Sequence, residues 1–216
     1  KMRTINIITL LLFTSFTFAQ VGTNGSDRKE EGRTIREYNL TIEENKMTLG
    51  GVSAKAMTIN GSIPGPVLEF DEGELAIINV TNKMDEETSV HWHGLILPNF
   101  YDGVPYLNTP PIEPGETFQY RIPINQSGTY WYHSHTGLQE QRGVYGSIVF
   151  HPKAGEKIQT DRDYVVVLSD WTDENPRQVL AHLKKDGDYY ALKKGSVASW
   201  DRVLQQGWPA IRHRLQ

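Results

Sequence analysis

The sequence predicts an all-β domain, a sandwich or barrel of many short strands. Three observations carry that prediction. Short segments rich in β-branched and aromatic residues recur from Thr34 to Pro152. Turn signals built on Gly, Pro and Asn separate them. No stretch before residue 172 sustains the 3.6-residue apolar period of an amphipathic helix.

Taken in order, TIREYNLTI (34–42) reads as the first strand, and NGSIPGP (60–66) as a turn from Asn-Gly and two prolines. ELAIINVTN (74–82) and SVHWH (89–93) read as strands. TPPIEPGE (109–116) is excluded from helices and central strands, because Pro has no N–H to donate. TFQYRIPI (117–124), GTYWYHSH (128–135) and GSIVFHP (146–152) complete the series. A second block follows. DYVVVLSDW (163–171) reads as an apolar strand and NPRQVLAHLKK (175–185) as a short helix. The expected organisation is an export signal over 1–19, a polar Gly-rich linker over 20–33, one complete sandwich over 34–155, and the start of a second over 156–216.

The amino terminus points to location. KMR is basic, INIITLLLFTSFTF is a run of 14 mostly apolar residues, and Ala19 offers a small residue for cleavage. That is the three-part pattern of a secretory signal peptide. The run is shorter than the roughly 20 residues a membrane-spanning helix needs. The expected location is the periplasm, with no stable membrane span.

Composition narrows the chemistry. The 216 residues include no cysteine. This excludes a disulfide framework, a thiolate zinc site, an iron–sulfur cluster and a thiol nucleophile. It also excludes a blue-copper centre within the chain, since that centre needs a Cys thiolate. Net charge is −4 with no long run of one sign, so nucleic acid is not an expected partner.

Four of the seven histidines lie in two His-x-His triplets: His91 and His93 in HWH, and His133 and His135 in HSH. Side chains at i and i+2 of a strand share a face, about 6.6 Å apart along it. That spacing suits two ions a few Å apart better than one. With the two strands side by side, four imidazoles converge. Neutral imidazole is a ligand for Cu, Zn, Fe and Ni. A single triplet is weak as a metal signal, but two in one domain, each beside Trp or Tyr, are a strong one. A zinc hydrolase is open on ligand type alone, though nothing else in the sequence supports it. The remaining histidines have bland readings: His151 as a surface residue at a strand end, and His182 and His213 without a partner at ligand spacing.

HWHG followed by WYHSH resembles the first two copper motifs of multicopper oxidases. The resemblance extends over about 34–152 and includes NGSIPGP, DGVP (102–105) and GVYGSIVF (143–150). DYYALKKGSVASWDRVL (188–204) is similar to the copper-resistance, laccase-like periplasmic branch. The resemblance implies a cupredoxin-like Greek-key β-sandwich. It further implies that His91 binds a type 2 copper and that His93, His133 and His135 bind a type 3 pair. Together these ions would form a trinuclear cluster that reduces O2 to water. Asp102 falls where the family often places an acid that relays protons; it also reads as a plain turn Asp before Gly103. Trp92 and Trp131 read as packing.

The departures matter equally. The family completes its cluster with four further histidines from a C-terminal cupredoxin domain, in H-x-x-H-x-H and H-C-H motifs, and neither motif is in this chain. The Met-rich segments of many copper-resistance members are absent too, with four scattered Met. The expectation is therefore an N-terminal fragment of a periplasmic oxidase of cuprous ion or phenols. It would hold half the cluster, lack the type 1 site and be inactive alone, its partners being copper ions, O2 and the missing domain. The alternative is a non-enzymatic periplasmic protein that binds and buffers copper.

Overall fold

The computed structural model describes residues 30, 32–49, 52–172 and 174–192. The expected export signal, most of the expected linker, and everything from 193 onward, His213 included, lie outside the described residues. Among the described residues, eight strands form two four-stranded sheets. The first sheet has the order β2 (Val52–Ile59), β1 (Ile35–Leu49), β4 (Leu75–Asn82), β6 (Thr117–Pro123). The second has the order β3 (Leu68–Asp71), β8 (Tyr145–His151), β7 (Gly128–His133), β5 (His91–His93). β1 pairs parallel with β4, and β3 parallel with β8; the other neighbours are antiparallel. Strands adjacent in sequence are thus often in opposite sheets, and the chain crosses repeatedly between the two layers.

The core fills the space between the sheets. β1, β2, β4 and β6 supply Leu40, Ile42, Met57, Ile59, Ile78, Val80, Tyr120 and Ile122; the other sheet supplies Leu68, Phe70, Trp92, Tyr132, Ile148 and Phe150. β4 is buried along nearly its whole length, as its central place between β1 and β6 requires. Trp92 meets Tyr120 of the facing sheet edge-on, with ring centroids 5.1 Å apart at 79°. Its indole Nε1, the one buried side-chain N or O among the described residues without a hydrogen-bond partner, sits beside these rings, whose π faces are weak acceptors. Because Trp92 points into the core, the residues on either side of it must face outward. The core therefore sets the direction of His91 and His93.

Five of the expected strands stand within a few residues of their predicted bounds, and the first runs on to Leu49. β2 and β3 were not foreseen. The strand expected over 163–171 does not form: the segment has no ladder partner among the described residues, and Tyr164, Val166 and Leu168 are exposed. Apolar β-branched residues make a strand only when an edge is available to take their N–H and C=O groups. The helix expected over 175–185 is present as α1 (Pro176–Lys185), capped by the Asn175 side chain, which accepts from the Arg177 amide. A further helical turn, α2 (Tyr189–Leu192), follows.

Candidate metal centre

β5 and β7 lie side by side and antiparallel, with His91 opposite His133 and His93 opposite Trp131. With these two strands adjacent, the imidazoles of the two triplets lie close together. Ring centroids of His91 stand 5.6 Å from His93, 5.5 Å from His133 and 5.2 Å from His135. One ligand nitrogen from each of His91, His93 and His133 falls within 4.8 Å of the others. This is the scale on which imidazoles share one ion or two neighbouring ions. His135 differs from expectation in one respect. β7 ends at His133, so His135 is not carried by a strand. Its amide is taken by the Ser89 hydroxyl instead of a ladder partner. It joins the group from the side, with its ring 5.5 Å from that of His133.

The ring partners assign the nitrogens. Nδ1 of His91 lies 2.7 Å from the Asp102 carbonyl oxygen. That oxygen can only accept, so Nδ1 carries the hydrogen and Nε2 keeps its lone pair. Nδ1 of His133 lies 3.0 Å from the Ser134 carbonyl and 3.0 Å from Oε2 of Glu140, which assigns the same tautomer. Nε2 of His133 then faces Nδ1 of His93 at 3.3 Å. Two ring nitrogens directed at one another across a small space suit a cation that both can bind. Burial and the three neighbouring imidazoles push the His133 pKa down to about 4, against the help of the Ser134 carbonyl. His133 is therefore neutral at neutral pH, the form that binds metal. Trp131 stacks on His133 at 4.1 Å and 19°, and on His93 at 5.1 Å and 29°, walling one side.

A polar frame holds these rings, and most of it was not legible in the sequence. Gln139 is buried, and its Oε1 accepts from the Thr88 and Ser134 hydroxyls while its Nε2 donates to the Glu87 carbonyl. Ser134 thereby fixes the link between His133 and His135. The Glu140–Arg142 turn that follows is tied back to β1 through Arg142, whose Nη2 lies 2.9 Å from Oε1 of Glu44. On the other side, Gly103 adopts φ +89° and packs so tightly on β5 that a Cβ there would sit 1.8 Å from the Val90 carbonyl oxygen. Only this close approach brings the Asp102 carbonyl to His91. The Asp102 carboxylate is near as well: Oδ1 stands 3.6 Å from His91 Nδ1, and Oδ2 accepts from Asn108 at 2.8 Å.

The cluster is open to solvent. His93 and His135 are exposed, His91 is half-buried and His133 is buried. A shallow cavity of about 180 Å³ adjoins it, lined by His133, His135 and Glu140 among others. A larger cavity of about 790 Å³, between the 136–142 turn and residues 171–177, includes no imidazole. His151 is half-buried at the end of β8, beside Glu69. His182 stacks on Tyr189 at 4.3 Å, far along the chain from the cluster and without a second imidazole among the described residues.

The family model described as multicopper oxidase matches residues 41–155. The chain belongs to the multicopper oxidase family. Copper resistance protein A of Escherichia coli is 50% identical over 166 residues, which cover 77% of this chain and 27% of that protein. Laccase-1 of Cryptococcus neoformans is 36% identical over 183 residues, covering 81% of this chain and 28% of that protein. The laccase of Botrytis aclada superposes with a TM-score of 0.60 at 38% identity, covering 70% of this chain and 29% of that one. This multicopper oxidase chain thus spans about 30% of the length of such relatives, and its sandwich has the cupredoxin-like architecture of the family. The four clustered imidazoles all lie inside the matched segment. Among the described residues no helix is long and apolar enough to cross a membrane.

Proposed function

We propose that His91, His93, His133 and His135 form half of the trinuclear copper cluster of a periplasmic multicopper oxidase, the other half being supplied by a second cupredoxin-like domain. In this reading the oxidase takes electrons from cuprous ion or phenolic substrates, passes them to O2, and serves copper resistance. The observation that carries it is the convergence of three imidazole nitrogens within 4.8 Å, with a fourth imidazole beside them, in a chain of this family.

The donor set fits copper: neutral imidazoles, an aromatic wall, and an open face where more ligands can approach. His91 would hold the type 2 ion through Nε2. His93, His133 and His135 would hold the type 3 pair. When bound there, copper supplies the redox chemistry that reduces O2 to water. The protein's own residues orient the ligands and deliver protons. The Asp102 carbonyl keeps the His91 hydrogen on Nδ1, so that Nε2 is free for the metal. The Asp102 carboxylate, held by Asn108, can carry a proton beside the site, which a reaction that consumes protons requires.

Without a cysteine the chain offers no thiolate for electrons to enter by. The full 216-residue chain, loaded with copper and given a phenolic reductant, is expected to bind the metal and consume no O2. Sustained O2 uptake would overturn the half-cluster reading. Failure to bind copper at all would overturn the metal reading itself.

A further inference from the structure

The Glu140–Arg142 turn holds a carboxylate against His133, at the edge of the shallow cavity, and neither the sequence motifs nor the family resemblance gives it a role. We infer that Glu140 is a positioning residue for His133, fixing that ring as the Nδ1–H tautomer and aiming Nε2 at the metal. The inference rests on the copper-site reading for its purpose, but the contact itself can be tested without metal.

Four observations carry it. Oε2 of Glu140 lies 3.0 Å from Nδ1 of His133, an ion-pair distance that brings the carboxylate to this ring nitrogen. The Ser134 carbonyl stands at the same 3.0 Å and is a second acceptor at Nδ1, from the next residue in the chain. Glu140 comes from a separate element, so it supplies an independent reference point. That element is braced from outside the site. Gln139 anchors its start to the buried Ser134 and Thr88 hydroxyls, and Arg142 anchors its end to Glu44, which also pairs with Lys55. A turn pinned at both ends holds its carboxylate in place at little further entropic cost. Finally, Trp131 stacks flat on the His133 ring, 4.1 Å away at 19°. It sets the ring plane but cannot choose between the two nitrogens. That choice falls to the hydrogen-bond acceptors at Nδ1.

Carboxylates that accept from the far nitrogen of a ligand imidazole typically change metal affinity 10–100-fold when removed. Gln at position 140 keeps an acceptor oxygen and loses the charge. Leu keeps the bulk and loses the acceptor. The two variants therefore separate hydrogen-bond acceptance from packing.

The test is nitrogen NMR of the imidazoles in the metal-free full chain at pH 7, for wild type, Glu140→Gln and Glu140→Leu, with copper affinity then measured by chelator competition. Wild type and Glu140→Gln are expected to show His133 as one Nδ1–H tautomer. Glu140→Leu is expected to show ring nitrogens averaged between tautomers and a copper affinity at least 10-fold weaker, while Glu140→Gln stays within a few-fold of wild type. An unchanged His133 tautomer in Glu140→Leu overturns the inference, as does a Glu140→Gln variant as impaired as the Leu variant. If wild type binds no copper, the copper-site reading fails, yet the tautomer comparison still decides whether Glu140 sets the ring.

Discussion

His91 shows how much one imidazole depends on a backbone position eleven residues away. Its Nδ1 partner is a carbonyl, which cannot be mutated directly, but Gly103 controls the approach of that carbonyl. Gly103→Ala places a methyl group inside the van der Waals radius of the Val90 carbonyl and demands φ +89° of a residue with a Cβ. The expected cost is on the order of 2–3 kcal/mol, read by urea unfolding of the metal-free chain, together with weaker copper binding. His133→Ala is expected to abolish tight copper binding, since it removes the ligand shared with His93 across 3.3 Å. At this scale the sequence was partly legible. The four histidines stood out by spacing alone, because the two-residue period of a strand maps directly onto a shared face. The partners did not stand out, because Glu140 and Ser89 meet His133 and His135, and Gln139 meets Ser134 between them, only through folding. HSHTGLQE did contain Gln139 and Glu140 within a few residues of His135, but nothing in their spacing distinguishes a brace from a surface turn.

At the scale of elements, β5 and the end of β7 are short and would be weak on their own. Three residues of β5 carry two ligands, and their direction comes from Trp92 in the core. Trp92→Ala is expected to destabilise the chain by about 3–5 kcal/mol, and to lower copper affinity as His91 and His93 lose their common orientation; thermal unfolding and chelator competition read the two effects. Gln139 links three backbone segments from a buried position, so its loss leaves the Thr88 and Ser134 hydroxyls and the Glu87 carbonyl short of partners. The strand pattern was readable where strands are long and rich in β-branched residues, as in β4. It was not readable for β3, whose four residues give only two alternations, nor for β2, where Ala and Lys dilute the apolar signal. The segment 163–171 shows the opposite error. Its composition is that of a strand, but pairing depends on a neighbouring edge that composition does not encode.

For the whole molecule, acid sensitivity joins two distant groups. The Arg36 guanidinium grips Glu74 through two hydrogen bonds, at 2.8 and 2.9 Å, and with the Asp71 amide holds its carboxyl below the ordinary value. A depressed carboxyl contributes stability that is present above its unfolded pKa, about 4.3, and lost as pH falls through the folded value. His133 is also depressed, to about 4, mainly by burial. Its unfolded value is about 6.5, so the unfolded chain binds a proton first as pH drops. Metal-free stability is therefore expected to decline from about pH 6.5 to about pH 4 through His133, and to go on declining below about pH 4.3 through Glu74. Denaturant unfolding at a series of pH values checks this. Glu74→Gln should flatten the lower part of the curve and leave the upper part, and a curve flat from pH 7 to 5 would contradict the assignment to His133.

The most direct measurement for the copper half-cluster is X-ray absorption on the full chain after anaerobic copper loading, alongside the His133→Ala variant. Copper coordinated by several imidazole nitrogens in the wild type, and lost in the variant, is the expected result. Copper held mainly by oxygen ligands, or an unchanged spectrum in the variant, would contradict it, because the metal would then lie somewhere other than between β5 and β7.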